Sequence, residues 1–395
     1  MNRIEYPQDR NELNAVSQDK FNTALKFCQR PVENAHSLPA MCYHSTAIQD
    51  LEIERIFRQS WLGLGRADRL KEAGQYETME IAGIPIILIK DQSGTLHGFN
   101  NACLHRGARL LGGEGQCRGI RCPFHSWSYR LNGEFVHAPH MEATEQFNPS
   151  DMKLVEFPIV IHNGFIFICL NDNPPDFQQC LGNFDTLHSP WPVDSLVTTR
   201  RITFEVQCNW KLFLDVFNEY YHLQYVHPDS ISDIYQTPDP IDAMGGSFTS
   251  QFGVTDGTGG LLQGQQAHAL PSMPGLTGRS AKGTRYTWMF PNMTFALSGE
   301  AMWIYEAYPI NPDRCLAVQT LCFPEQSVAL EDFSERVQYY YDRFDAAVEE
   351  DRIALENQQL GLNSPFTQPG RYSVTMEPSV AMFSKWYAQQ MNGEE

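Results

Sequence analysis

CLHRGARLLGGEGQCRGIRCPFHSWSYRLNG, residues 103–133, contains two cysteine–histidine pairs. Cys103-x-His105 and Cys122-x2-His125 stand sixteen residues apart, and each pair sits among turn formers. Two short loops of this kind can pinch a metal cluster from opposite sides. Two thiolates on one iron and two neutral imidazoles on the other hold a [2Fe–2S] centre asymmetrically. The exchange of thiolate for imidazole lowers the cluster's negative charge and raises its potential. The same four ligands also suit tetrahedral zinc, and a lone Cys-x-His is usually structural. Cys117, between the pairs, has no histidine at matching spacing and reads as a bystander.

Around this stretch the pattern is β. From Gly74 to Leu170, β-branched runs alternate with turn signals, and KLVEFPIVIHNGFIFICL reads as a hairpin turning at Asn163-Gly164. The cluster NDNPPDF (171–177) marks a boundary. Beyond it ITFEVQC reads as a strand and NWKLFLDVFNEYYH (209–222) as an amphipathic helix. Residues 229–283, rich in Gly, Ser, Thr and Pro, read as a long irregular stretch of the kind often found around sites. Strands return at RYTWMF, MTFAL, MWIYEAYPI and CLAVQTLCF, and a long helix runs from about Glu331 to Leu360. Residues 1 to about 50 read as polar and helical, with turns at Pro31 and Pro39.

The 395 residues suffice for two domains. A net charge of −18 argues against nucleic acid, whose phosphates call for Lys and Arg. No apolar run approaches the ~18 residues of a membrane span, and the N-terminus has no signal-like apolar core. Ten scattered cysteines fit a reducing compartment, so the expected location is cytoplasmic, with no membrane partner.

A second constellation lies downstream. On the helix read over 209–222, Leu212, Phe213, Val216, Phe217 and Tyr220 share one face, and Asp215, Asn218, Glu219 and His222 the other. His227 follows His222 at i+5, off the same helical face, so the chain must distort or end for both imidazoles to meet. Pro228 favours an ending. On the C-terminal helix Phe333, Val337, Tyr340, Phe344, Val348 and Leu355 form a stripe. Asp351 falls inside it, whereas Asp342, Asp345, Glu349, Glu350 and Glu356 project elsewhere. A buried acid is unfavourable unless it is paired or ligates a metal. His222, His227 and Asp351 therefore form a candidate facial triad for a mononuclear Fe(II); the competing reading pairs Asp351 with an internal arginine.

CLHRGA…CPFHSWSYRLNG resembles the Rieske motif of ring-hydroxylating and related non-haem iron oxygenases. Asn209-Trp210-Lys211 with Glu219-x2-His222-x4-His227, and Glu350-Asp351 with Glu356, Gln359, Gly361-Leu362 and Ser364, are similar to that family's later motifs. The resemblance runs from about residue 40 to 390. It implies an α+β fold: a Rieske [2Fe–2S] β domain over 45–170 and a helix-grip catalytic domain over 171–395, its antiparallel sheet curled around the long helix, with 1–44 packed on it. It implies a Rieske cluster on Cys103, His105, Cys122 and His125, Fe(II) on His222, His227 and Asp351, a homotrimer, and an NAD(P)H-dependent flavin/iron–sulfur reductase as partner. It also places Glu219 as a carboxylate bridging His222 to His125 of a neighbouring subunit. Glu at that position, where many ring dihydroxylases have Asp, resembles the branch acting on choline, carnitine and betaines. O2 and a small quaternary ammonium substrate are then expected, with N-demethylation or C-hydroxylation as the outcome. An aromatic cage for that head group would draw on Trp288, Phe290, Trp303 and Tyr305, although strand aromatics are commonly core. Two alternatives share some of these residues. An aromatic-ring dihydroxylating dioxygenase α subunit would use the same metal ligands, and a non-catalytic Rieske electron carrier would leave His222, His227 and Asp351 idle.

Overall fold

The computed structural model describes residues 15–243 and 245–393; the N-terminal segment tested for a signal lies outside them up to residue 14. The chain forms two compact units, Arg66–Pro174 and Met1–Gly65 with Pro175–Glu395.

The unit Arg66–Pro174 is built of antiparallel strands. β1 (Gln75–Ile81), β2 (Ile84–Lys90) and β3 (Leu96–Asn100) are central in a five-stranded sheet whose outer strands are Glu114–Gln116 and Glu156–Phe157. The hairpin from β4 (Ile159–His162) to β5 (Phe165–Cys169) turns at Asn163-Gly164, both at positive φ, as its sequence predicts. A small sheet of Ile120–Arg121, Ser128–Tyr129 and Phe135–His137 carries the second cysteine–histidine loop between its first two strands. Ile87, Ile89, Phe99, Trp127 and Tyr129 form the core beneath both loops.

The first boundary falls later than the 45–170 division anticipates: residues 45–65 go with the catalytic part. The reason is a buried acid. Glu52 ends helix α1 (Thr46–Glu52) and accepts from Trp210 Nε1 (2.9 Å), Lys211 Nζ (2.7 Å) and Tyr387 Oη (2.6 Å). These bonds tie α1 to α2 (Trp210–Phe217) and to α5 (Pro378–Asn392). A six-stranded antiparallel sheet dominates the unit. Its strands are β6 (Leu196–Val206), β7 (Phe248–Val254), β8 (Gly283–Met289), β9 (Met293–Leu297), β10 (Met302–Asn311) and β11 (Arg314–Pro324), in the order β6-β11-β10-β9-β8-β7. β7 lies within the stretch read as irregular: FTSQFGV mixes Thr, Ser, Gln and Gly with two Phe and a Val, yet nearly all of it is buried at the sheet edge. Against the sheet packs α4 (Phe333–Leu362), about 45 Å long at 1.5 Å per residue. Phe344 meets Trp303 with ring centroids 5.0 Å apart, and Tyr340 meets Phe323 at 5.2 Å. The helix-grip α+β architecture is as expected.

His188 shows how polar groups are accommodated in this core. It is 2% exposed, donates from Nδ1 to the Phe184 carbonyl (2.7 Å) and accepts at Nε2 from the Thr287 hydroxyl (2.8 Å). Both bonds suit the neutral ring, and burial pushes its pKa from 6.5 down to about 3. Between those values the unfolded chain takes up a proton that the folded chain refuses. Stability is therefore undiminished above pH 6.5 and falls as the pH drops through 6.5 toward 3. In urea titrations across that range, His188→Gln is expected to show a flatter dependence of midpoint on pH; an unchanged slope would place the acid sensitivity elsewhere.

Candidate metal centres

The two cysteine–histidine loops repeat one backbone pattern. The Cys103 carbonyl accepts from Gly107 N–H (2.9 Å), and the Cys103 N–H donates to the Ala108 carbonyl (2.8 Å). The Cys122 carbonyl accepts from Ser126 N–H (3.1 Å), and the Cys122 N–H donates to the Trp127 carbonyl (2.7 Å). The fourth residue after each cysteine, Gly107 or Ser126, has positive φ. Glycine adopts that conformation freely, and Ser126 adopts it because the turn imposes it. Both sulfurs are buried, whereas His105 is half-exposed and His125 exposed, their ring centroids 4.8 Å apart. His105 stacks on Trp127 at 4.7 Å. Tyr129 Oη accepts from Leu104 N–H (3.1 Å) and lies 3.3 Å from Cys103 Sγ, toward which it can donate. Burial raises the Cys103 thiol pKa, Tyr129 opposes this, and Cys122 adds to it. Two thiolates side by side thus call for a cation between them, which an iron–sulfur centre provides. Cys117 bonds through its backbone to Gly74, away from the four.

In the second constellation the helix read over 209–222 stops at Phe217. Asn209 caps its start by accepting from Lys211 N–H (3.0 Å). Asn218 ends it, donating from Nδ2 to the Leu214 carbonyl (2.7 Å) and accepting from the Thr294 hydroxyl (2.9 Å). After an irregular stretch comes a single turn, α3 (Leu223–Val226), with His222 and His227 as its two caps. The i+5 spacing is resolved in this way: one imidazole stands at each end of one turn, ring centroids 5.1 Å apart. Asp215, expected on a polar face, is half-buried on α2; desolvation pushes its carboxyl well up and Lys211 opposes this.

Asp351 on α4 completes the group. Its Oδ1 is 3.0 Å from His227 Nε2 and 3.6 Å from His222 Nε2, and one ligand atom from each residue falls within 4.8 Å of the others. That Oδ1 is buried without a hydrogen-bond partner. The outer nitrogens are both held by carboxylates. His222 Nδ1 donates to Glu219 Oε1 (2.6 Å) and His227 Nδ1 to Glu350 Oε2 (2.6 Å), which also accepts from Ser230 Oγ (2.8 Å). Glu219 further accepts from the backbone N–H groups of Tyr221 and His222. This is the arrangement that fixes an imidazole tautomer and turns its lone pair toward a metal. Burial opposes a cationic His222, but Glu219 and Asp351 outweigh it and raise its pKa. The site attracts positive charge, and its donor set fits a ferrous ion. Glu350 does not project elsewhere, as its place beside the apolar stripe suggests. Adjacent helical residues differ by about 100°, so Glu350 and Asp351 reach His227 from two sides. Their adjacency in the sequence was the available signal.

The triad opens onto a cavity walled by Phe217, Tyr220, Tyr286 and Tyr305, with Arg343 among its residues. Tyr305 is the one cage candidate in this wall. Trp288 and Phe290 belong instead to the core under α5, where Trp288 stacks on Phe383 at 4.0 Å and Phe290 lies 5.1 Å from Trp386. Trp303 backs the wall, packed on Phe344 and 6.1 Å from Tyr286. Sequence reading missed Phe217, Tyr220, Tyr286 and Arg343 as cavity residues.

Two metal centres, one on antiparallel loops and one inside a helix-grip fold, define an iron oxygenase of the Rieske type. Residues 193–393 match the family of ring hydroxylating alpha subunits (catalytic domain), and residues 60–148 match the Rieske [2Fe-2S] domain; the chain belongs to that alpha-subunit family. Its cofactors are accordingly a Rieske cluster and a mononuclear iron, and a pure electron carrier is set aside. The glycine betaine monooxygenase oxygenase subunit of Chromohalobacter salexigens is 26% identical, the match covering 92% of this chain and 87% of that one. The carnitine monooxygenase oxygenase subunit of Escherichia coli K12 is 29% identical over 86% and 87%. A solved quaternary ammonium Rieske monooxygenase shares the fold, with TM-score 0.79 at 24% identity over 93% of this chain and 98% of that one. No helix among the described residues is long and apolar enough to cross a membrane.

Proposed function

We propose that the chain is the oxygenase component of a monooxygenase for a small quaternary ammonium compound. The observation that carries this reading is the tyrosine- and phenylalanine-walled cavity directly above the triad of His222, His227 and Asp351. Aromatic faces attract an onium head that has no hydrogen to donate. The named relatives, which act on glycine betaine and carnitine, point the same way. An arene dihydroxylase would be served better by aliphatic walls.

In this reading Cys103, His105, Cys122 and His125 would hold the cluster, with the thiolates on one iron and the imidazoles on the other, and His222, His227 and Asp351 would hold the mononuclear iron. When bound, the metals supply single-electron transfer and O2 activation, so that substrate, O2, two electrons and two protons give hydroxylated substrate and water. Electrons come from an NAD(P)H-dependent reductase. Tyr286, Tyr305 and Phe217 place the C–H bond beside nitrogen over the triad. Hydroxylation there yields a hemiaminal that releases aldehyde; hydroxylation at a carbon not bound to nitrogen would instead give an alcohol. Glu219 orients His222 and offers an electron route from His125 of the partner subunit in a homotrimer. A cytoplasmic location fits the free thiols.

The test is substrate-stimulated O2 uptake with a reductase and a panel of choline, glycine betaine, carnitine, proline betaine and simple arenes. Uptake with a quaternary ammonium compound, and formaldehyde or another aldehyde or alcohol as product, is expected. A cis-diol from an arene would overturn the assignment.

A further inference from the structure

Among the described residues lining the cavity, Arg343 is the only lysine or arginine. It stands on α4 and is 3% exposed. No carboxylate of the described residues pairs with it. Its Nη2 makes one long hydrogen bond, to Tyr235 Oη at 3.4 Å, and its Nε has no partner. The guanidinium otherwise rests over the rings of Phe344 and Trp303, at 4.4 and 5.6 Å. Tyr235 offers little more, since it already accepts from Tyr286 Oη (2.8 Å) and bonds the Gly259 carbonyl (3.3 Å). A guanidinium has five donors in a planar fork. Leaving most of them unused and the charge unpaired inside a protein is unfavourable unless an anion completes the site. Asp351 lies eight residues further along the same helix, about 12 Å along its axis, with Glu219 beyond His222. The cavity is therefore lopsided: Arg343 is its cationic end, and at the other end the charge of a bound ferrous ion offsets the carboxylates.

We propose that Arg343 is the carboxylate-binding residue of this cavity and that the substrate is a zwitterion, a quaternary ammonium compound that also carries a carboxylate. This rests on the quaternary ammonium reading above and narrows it. The carboxylate takes the guanidinium fork, and the onium head rests against the rings of Phe217, Tyr286 and Tyr305, which brings its carbons over the triad. A plain cation such as choline gains the aromatic faces only and is repelled by Arg343. Arg343 thus selects both the substrate and its direction.

The test begins with the unaltered holoenzyme. Calorimetric titration with glycine betaine, carnitine and choline is expected to show a carboxylated ligand binding at least ~100-fold more tightly than choline, since a buried charge pair discriminates on that scale. Arg343→Gln should abolish the gap by weakening the carboxylated ligand while choline binds as before or more tightly, with the Rieske EPR signal intact. Arg343→Lys should restore part of it, because a point charge replaces the fork. If choline binds the unaltered enzyme as tightly as the betaines, the role given to Arg343 falls while the quaternary ammonium reading stands. If no quaternary ammonium compound binds and an arene does, both fall together.

Discussion

Asp351→Ala is expected to reduce turnover to background and to remove the mononuclear iron while sparing the EPR signal of the Rieske cluster. In the proposed reading the carboxylate supplies the third ligand atom beside the two imidazoles, and its Oδ1 is buried with no hydrogen-bond partner. Alanine leaves two neutral donors, too few to retain a ferrous ion against water. Glu350→Gln should act by degree, lowering iron affinity by about 10–100-fold, because it orients His227 without touching the metal. Iron analysis, EPR and O2 uptake on the same samples separate the outcomes. Full activity in Asp351→Ala would show that the ligand was wrongly chosen.

The largest effect on stability is expected at Glu52. Its side chain is 1% exposed and that of its partner Lys211 is 0% exposed. Lys211 Nζ also lies over the rings of Tyr43, Trp210 and Tyr387 at 5.0–5.5 Å. Glu52→Ala leaves an ammonium enclosed by aromatic rings without its counter-ion and frees two further donors, Trp210 Nε1 and Tyr387 Oη. Breaking one side of such a buried pair costs on the order of 3–5 kcal/mol, whereas replacing both sides with apolar groups can be nearly neutral. Denaturant titration should therefore find Glu52→Ala least stable, and Glu52→Leu with Lys211→Met more stable than it by the cost of the unpaired ammonium, the loss of the Trp210 and Tyr387 bonds being common to both. Equal losses in the single and double variants would assign the stability to packing instead of charge.

What was legible in the sequence was what neighbouring residues settle among themselves. Asn163-Gly164 specifies its own turn, and each cysteine reaches its histidine within one loop. The apolar spacing of α4 places Asp351 on the inner side without knowledge of its partners. What was hidden depended on distant segments. α2 ends at Phe217 because Asn218 bonds both Leu214 and Thr294, and Thr294 lies on a strand far along the chain. Residues 45–65 join the catalytic unit through Glu52, whose partners are more than 150 positions away. The aromatic cage shows the same limit. Alternation along β8 places Tyr286 and Trp288 on the same side, but only tertiary structure determines that α5 covers Trp288 and that Tyr286 borders the cavity. Arg343 sits between Asp342 and Phe344 and looks, in sequence, like the edge of a solvated stripe.

The adjacency of Glu350 and Asp351 has a bearing on how this pocket can be altered. Two consecutive acids grip one imidazole from either flank, so the rotational phase of a thirty-residue helix is pinned at that point. Any roll of the helix that widened the chamber would disturb both grips at once. Room for a bulkier guest has to come from shaving side chains off the opposite strands, at Tyr286 or Tyr305, and enzyme engineers should begin there.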